Sequence, residues 1–351
     1  MHIRTGAAYC FAITKRDIWN QTMNQFIDNY CRQITYLRVS VTDRCNLRCI
    51  YCMPEEGVSL IGHDDILSYE EIVRIAGIVA PGGISKIRIT GGEPLVRKGI
   101  TGLVTELRSI PGITDISMTT NGILLQAAAR ELRKAGLQRI NISLDTLNPD
   151  KYRHITRGGD IRAVLSGISE AHKEGFSPIK INVVAMRGIN DDEILAFAEL
   201  TAERPVHVRF IEFMPISGTM GPHRDCFISN AEIKDTIKNR WSLISRLPDK
   251  NPGPAQMFQI EGASGRLGFI SPLSNHFCKT CNRLRLTCDG KLRTCLFSDT
   301  ETDLKTSLRS GADDDELRKI ITGAVLTKPK QHLVLQPSFK KCRRGMSTIG
   351  G

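Results

Sequence analysis

Aromatic residues are scarce in this chain: they make up 6% of its 351 residues, with two tryptophans among them. Single-stranded nucleic acid is held on aromatic platforms interleaved with cations, and this composition supplies few of them. Long apolar runs are missing as well. None reaches the roughly 18–20 residues of a membrane-spanning helix, which excludes an integral helical membrane protein. A mildly apolar stretch at 6–14 is broken by Lys15 and Arg16 and followed by no small-residue cleavage motif. A secretory signal is therefore not expected, and the expected location is cytoplasmic. What remains is ordinary globular composition, 41% apolar and 24% charged, long enough for one large core or two modest ones.

Two features are in excess. Lys and Arg number 48 against 37 Asp and Glu, a formal +11. From Ser271 onward there are 15 basic and 8 acidic residues, so most of the surplus lies in the final quarter. Such a balance points to a polyanionic partner, and with aromatics this sparse a small polyanionic substrate is preferred to nucleic acid. The second excess is cysteine. Eleven is an odd number, and without secretion it reads as metal binding or catalysis rather than a disulfide framework. Cys45, Cys49 and Cys52 form one group and Cys278, Cys281, Cys288 and Cys295 another, while Cys10, Cys31, Cys226 and Cys342 stand apart.

The fold class is α/β. Short β-branched runs at 37–41, 86–90, 116–119, 139–144, 179–185 and 207–213 alternate with helical patterns at 69–79, 100–108, 124–134, 161–174 and 191–202. Strands alternating with helices imply a parallel sheet with right-handed crossovers, either a partial barrel or an open doubly wound sheet. After Met214 the pattern changes to α+β. A Gly/Pro-rich loop at 217–222 leads to a helix near 230–240, short strands near 257–260 and 267–270, and a hairpin turning at Asp289-Gly290. A last helix near 314–322 precedes a basic tail that ends in Gly350-Gly351.

The first cysteine group is C-x3-C-x2-C, directly after the first strand, where parallel sheets bind their ligands. Structural zinc normally closes on four protein ligands, whereas three thiolates on a four-iron cluster leave one iron open. The second group is C-x2-C-x13-C: Cys278, Cys281 and Cys295, with Cys288 as competitor. A two-residue turn at Asp289-Gly290 sets Cys295 opposite Leu284, within three residues of Cys281, and leaves Cys288 about 13 Å from Leu284. Cys295 is thus the preferred ligand, and a zinc site borrowing Cys288 or His276 is the alternative. Arg38, Arg88 and Lys180 alternate along their strands so as to face one interior if those strands are adjacent in a barrel. Buried like charges are costly without a polyanion, and guanidinium groups suit bidentate phosphate contacts.

At SVTDRCNLRCIYCMP, with Tyr51 before the last cysteine, the chain resembles the radical S-adenosylmethionine (SAM) enzymes. Together with RITGGEPL, MTTNG, FCKTCNRLRLTCDGKLRTCL and the terminal IGG, it resembles the GTP 3′,8-cyclase family from about Asp28 to Gly351. The resemblance implies a partial (βα)6 TIM-like barrel over 28–220, with a smaller α+β region over 221–351 covering the barrel opening. Residues 1–27 would be an N-terminal extension, with Met23 a plausible start. It implies two [4Fe-4S] clusters, on Cys45, Cys49 and Cys52 and on Cys278, Cys281 and Cys295, each with three cysteine ligands and an open iron. SAM would meet Tyr51, Gly92, Ser143 and Met214. GTP would meet Arg38, Arg88, Thr119, Lys180 and the segment Arg283, Leu284 and Arg285. Arg283, Arg285, Gly350 and Gly351 would serve catalysis, the glycine pair threading into the site. A 5′-deoxyadenosyl radical would take the ribose 3′ hydrogen of GTP, and the carbon radical would attack guanine carbon 8. Implied partners are a cyclic pyranopterin monophosphate synthase downstream and a flavodoxin or ferredoxin-type electron donor, the chain itself being a monomer or homodimer. Two departures stand out: Cys31 where the family commonly has glycine, and Cys288 where a small residue is usual.

Overall fold

The computed structural model describes residues 25–216, 223–247, 253–334, 336, 339 and 342–350. The six β-branched runs are strands β1 (Tyr36–Ser40), β2 (Lys86–Thr90), β3 (Asp115–Thr120), β4 (Arg139–Ser143), β5 (Ile179–Ala185) and β6 (Val206–Glu212). Each pairs in parallel with the next in chain order. Crossover helices Tyr69–Val79, Ile100–Ser109, Leu125–Lys134, Ile161–Lys173 and Ile194–Glu203 connect them. Each strand has two unlike faces. On β2 the side chains of Ile87 and Ile89 are fully buried in the hydrophobic core, while Lys86, Arg88 and Thr90 line a cavity on the other side. Ordinary parallel barrels fill both faces with branched apolar side chains. A barrel that carries charge inward instead is built around a ligand.

The C-terminal region contributes β7 (Leu243–Arg246), β8 (Gln256–Ile260), β9 (Arg266–Ile270), β10 (Arg283–Leu286), β11 (Lys291–Arg293) and β12 (Thr302–Asp303). The sheet runs β12-β11-β10-β1-β2-β3-β4-β5-β6-β9-β8-β7. β10 joins β1 and β9 joins β6, both in parallel. The second region therefore continues the first region's sheet at both edges rather than forming a separate layer. β12 and β7 are the two ends of that sheet, so the barrel is partial.

Three sequence expectations change. Phe26 packs in the core with its ring against Gly82, and Ile27 bridges Gln33, so the folded unit begins before residue 28. A helix at Pro149–Thr156 was not expected; its signal is the Asn148-Pro149 pair, where Asn148 caps the amides of Asp150 and Lys151. The hairpin register is the third. Thr287 pairs with Lys291 and Gly290 takes φ +79, giving a three-residue loop, Cys288 to Gly290, instead of the two-residue turn. Arg285 faces Arg293, and the same register sets Cys295 opposite Arg283 rather than Leu284.

Cys31 sits at φ +59, in the left-handed region, within a turn closed by Asp28. That conformation favours glycine, since a side chain there costs about 1–2 kcal/mol. Glycine loses more entropy on folding, which offsets part of the gain. Cys31→Gly should raise unfolding free energy by roughly 0.5–1 kcal/mol, read as a higher denaturant midpoint. An unchanged or lower midpoint would contradict this account of the turn.

Candidate active site

The strands enclose a cavity of about 340 Å³ lined from one end by Cys45, Cys49 and Cys52 and from the other by Cys278, Cys281 and Cys295. The first trio follows β1; the second precedes β10 or follows β11. Because β10 runs parallel to β1 with Arg283 beside Tyr36, the trios occupy opposite ends of the strands. Cys288 is fully buried and does not line the cavity. Among the described residues, no three His, Cys, Asp or Glu side chains form a group fit to hold a metal ion. A four-iron cluster instead offers separate corners to separate thiolates, and a trio of cysteines on one cavity wall fits that donor set.

The helix Pro149–Thr156 positions the first trio. Its carbonyls at Ile155 and Thr156 accept from Ile50 and Arg48 amides, and Arg157 beyond its end donates to the Arg48 and Met53 carbonyls. The loop is thereby fixed as backbone, leaving the thiols to face the cavity. Burial pushes the Cys45 and Cys49 thiols up and brings Cys52 to about 12. Tyr51 donates to Asp145 at 2.7 Å, and the Val184 amide donates to the same carboxylate. Burial outweighs these hydrogen bonds and raises Asp145 to about 6. Gly91 and Gly92 lie so close to the first loop that a Cβ on Gly92 would sit 2.4 Å from the Arg44 carbonyl. Glu93 accepts from Thr120, Asn121 and Leu95, which ties this loop to the end of β3. Ser143 and Met214 also line the cavity, at the ends of β4 and β6.

The cavity's middle is a field of cations. Among the described residues, eight Lys and Arg side chains line it, against one side-chain carboxylate, Asp145. Arg38, Arg88, Lys180, Arg283 and Arg285 are there as the alternation requires. Lys86, Arg139 and Arg209 were missed, although the same period-2 count along β2, β4 and β6 finds them. Asp115 balances part of this charge, paired with Lys86 at 3.7 Å and with Arg139. Tyr36 reports the field. Burial alone raises a phenol, yet Arg88, Arg38, Lys86 and Arg283 together bring it down to about 8. Burial and the neighbouring cations push Arg38 down to about 10 and hold Arg285 well below its ordinary value. Thr119 lines the cavity with its hydroxyl unpartnered. Leu284 does not line it: its side chain is fully buried in the core on the outer face of β10, so only its backbone is available to a ligand.

The C-terminal tail enters this field. The Gly350 carbonyl accepts from Arg285 at 2.6 Å and from Arg38 at 3.3 Å. Gly350 adopts φ +70, and a Cβ there would meet the Thr90 hydroxyl at 2.5 Å. Gly351 lies outside the described residues.

Two family models match the chain: Radical SAM superfamily over residues 39–201 and Molybdenum Cofactor Synthesis C over residues 206–334. A GTP 3′,8-cyclase of Moorella thermoacetica is 54% identical over 325 residues, covering 92% of this chain and 99% of that protein. A GTP 3′,8-cyclase of Thermodesulfovibrio yellowstonii is 53% identical over the same span and coverage. Among solved structures, Streptococcus suis SuiB bound to precursor peptide SuiA aligns with TM-score 0.59 at 15% identity, covering 93% of this chain and 77% of that one. SuiB bound to S-adenosylmethionine aligns with TM-score 0.54 at 15% identity, covering 82% and 68%. At that identity the likeness concerns the fold.

The two trios differ in acidity. Burial opposes ionisation of Cys281, but Arg283 and Lys328 overcome it and lower the thiol to about 6. Burial raises Cys278. In metal-free protein, iodoacetamide should therefore label Cys281 ahead of Cys45, Cys49, Cys52 and Cys278 at pH 7, with half-maximal rate near pH 6. Peptide mass mapping that finds Cys281 reacting only above pH 8 would contradict the assignment.

Proposed function

The chain belongs to the GTP 3′,8-cyclase family of radical SAM enzymes, and from that premise we propose how its cavity works. The activity is conversion of GTP to (8S)-3′,8-cyclo-7,8-dihydroguanosine 5′-triphosphate, the first step of molybdenum cofactor biosynthesis. The observation that carries this reading is a cavity lined by eight cations between two cysteine trios. A nucleoside triphosphate supplies the anionic charge that such an interior needs.

Cys45, Cys49 and Cys52 hold one iron–sulfur cluster, and Cys278, Cys281 and Cys295 hold a second, each of the [4Fe-4S] type. When bound, the first cluster and SAM would supply one-electron radical chemistry, and the second cluster would supply a Lewis-acidic site beside the nucleoside. The chain's own residues do the rest. Tyr51, fixed by Asp145, and the close-packed backbone at Gly92 form the SAM side with Ser143 and Met214. Arg38, Arg88, Thr119 and Lys180 bind the phosphates and ribose, and we add Lys86, Arg139 and Arg209 to that set. Arg283 and Arg285, with backbone from Leu284, stand beside the second trio. Gly350 completes the wall around the reacting nucleoside, where the Arg38 and Arg285 guanidiniums hold its carbonyl in place; Gly351 is assigned to catalysis with it from the family resemblance alone. Described residues 25–216 form the six-stranded core, and the described residues after 222 carry the second cluster site and the tail. The product passes to a synthase that makes cyclic pyranopterin monophosphate, and a low-potential flavodoxin or ferredoxin-type protein supplies electrons. No described helix is long and apolar enough to cross a membrane.

Anaerobic protein should carry about eight irons per chain and turn GTP into the cyclised triphosphate with SAM and dithionite. Cys295→Ala should lose about half the iron, and Cys288→Ala should keep all of it. Absence of product from fully loaded protein would refute GTP as the substrate. Gly350→Ala forces a Cβ against Thr90 and should cut cyclised product at least tenfold, while SAM cleavage continues. Full cyclisation by that variant would remove the tail from the mechanism.

A further inference from the structure

Lys328 is 3% exposed and does not line the cavity. Its ammonium donates to two backbone carbonyls, Arg283 at 2.8 Å and Thr294 at 2.5 Å. Those residues flank the second trio: Arg283 is two positions after Cys281, and Thr294 directly precedes Cys295. Other buried cations outside the cavity have carboxylates. Arg32 pairs with Asp28 at 2.6 Å, and Arg293 pairs with Glu301 at 2.5 Å. Among the described residues no carboxylate pairs with Lys328. The titratable and charged groups that face it are the thiols of Cys281 and Cys295 and the guanidiniums of Arg283 and Arg32.

A buried ammonium with carbonyl partners alone is an unfavourable arrangement, because burial strips the charge of its water and neutral carbonyls replace it only in part. It becomes favourable when a net negative group sits behind those carbonyls. We propose that Lys328 is the counter-charge of the Cys278, Cys281 and Cys295 site, stabilising the reduced form of the cluster bound there and so raising its reduction potential. Lys328 is a positioning and tuning residue; it touches neither substrate nor SAM. Its placement matches how outer groups tune iron–sulfur sites, through net charge and hydrogen bonding. The reduction takes one electron from an external low-potential reductant, and the lysine carries none. Arg32 assists from the far side: it donates to the Cys278 carbonyl at 2.7 Å and to the Pro329 and Lys330 carbonyls, binding the lysine's segment to the cysteine loop.

The inference rests on the second trio holding a cluster, and the test separates the two. Holoenzyme is titrated with dithionite and followed by electron paramagnetic resonance, with and without SAM. The signal that changes with SAM belongs to the first cluster and serves as the internal control. Lys328→Gln keeps hydrogen-bond donors for both carbonyls but removes the charge; Lys328→Arg keeps the charge. In Lys328→Gln the SAM-insensitive cluster should show a roughly tenfold lower ratio of reduced to oxidised form at fixed potential, about 59 mV for one electron. The SAM-sensitive signal should not move, and Lys328→Arg should resemble the unaltered protein. Full iron with an unshifted SAM-insensitive signal in Lys328→Gln overturns the proposal. Loss of that cluster's iron in Lys328→Gln with retention in Lys328→Arg supports it, and loss in both assigns Lys328 a purely structural role and overturns it. If the unaltered protein has no SAM-insensitive cluster, the two-cluster reading itself fails.

Discussion

A parallel barrel with cations on its inner face cannot be stable as an empty object of low dielectric; the charge needs water or an anion. Everything else in the molecule is arranged around that constraint. The outer faces of β1 to β6 are apolar and bury against the crossover helices, which leaves the inner faces free to be polar. Asp115 neutralises part of the charge at one end of the strands. The remainder is directed at the centre, between the two cysteine trios. The low phenol value of Tyr36 expresses this field, and burial together with the neighbouring cations depresses the guanidiniums of Arg38 and Arg285.

The tail solves a related problem. Arg38 and Arg285 lie on adjacent strands at register-matched positions, and like charges side by side repel. The Gly350 carbonyl between them supplies an acceptor that both can share. Only glycine fits there, because the backbone is left-handed and Thr90 and Ser40 close the space a side chain would take. Gly350 is thereby part of the site's electrostatics. Cys281 differs from the first trio for a physical reason: burial raises the thiols of Cys45, Cys49 and Cys52, whereas Arg283 and Lys328 overcome burial and draw Cys281 towards thiolate.

Much of this was legible in the sequence. The six barrel strands and five crossover helices follow from the switch between period 2 and period 3.6, and their ends agree to within a few residues. The cysteine groups declared themselves through spacing. The hairpin was harder, since Asp289-Gly290 matches a two-residue turn, but the Thr287 hydroxyl accepts from Lys291 and favours the longer loop with glycine last. The helix at Pro149–Thr156 carries a polar face and few apolar residues, so its periodicity is weak and only its cap marks it. Lys328 was invisible because its meaning lies in what surrounds it: a lysine between Thr327 and Pro329 reads as solvated surface. The outward turn of Leu284 follows from strand alternation, which separates it from Arg283 and Arg285 on either side.

The central claim is that the inward cations exist to hold a triphosphate. Calorimetric titration of the holoenzyme with GTP, GDP, GMP and guanosine at several salt concentrations addresses it most directly. Each charge-assisted contact contributes about 1.5–3 kcal/mol, so affinity should fall by roughly tenfold or more for each of the outer phosphates removed. The GTP affinity should also weaken as salt rises, with guanosine indifferent to it. Equal affinity for guanosine and GTP, independent of salt, would contradict the account.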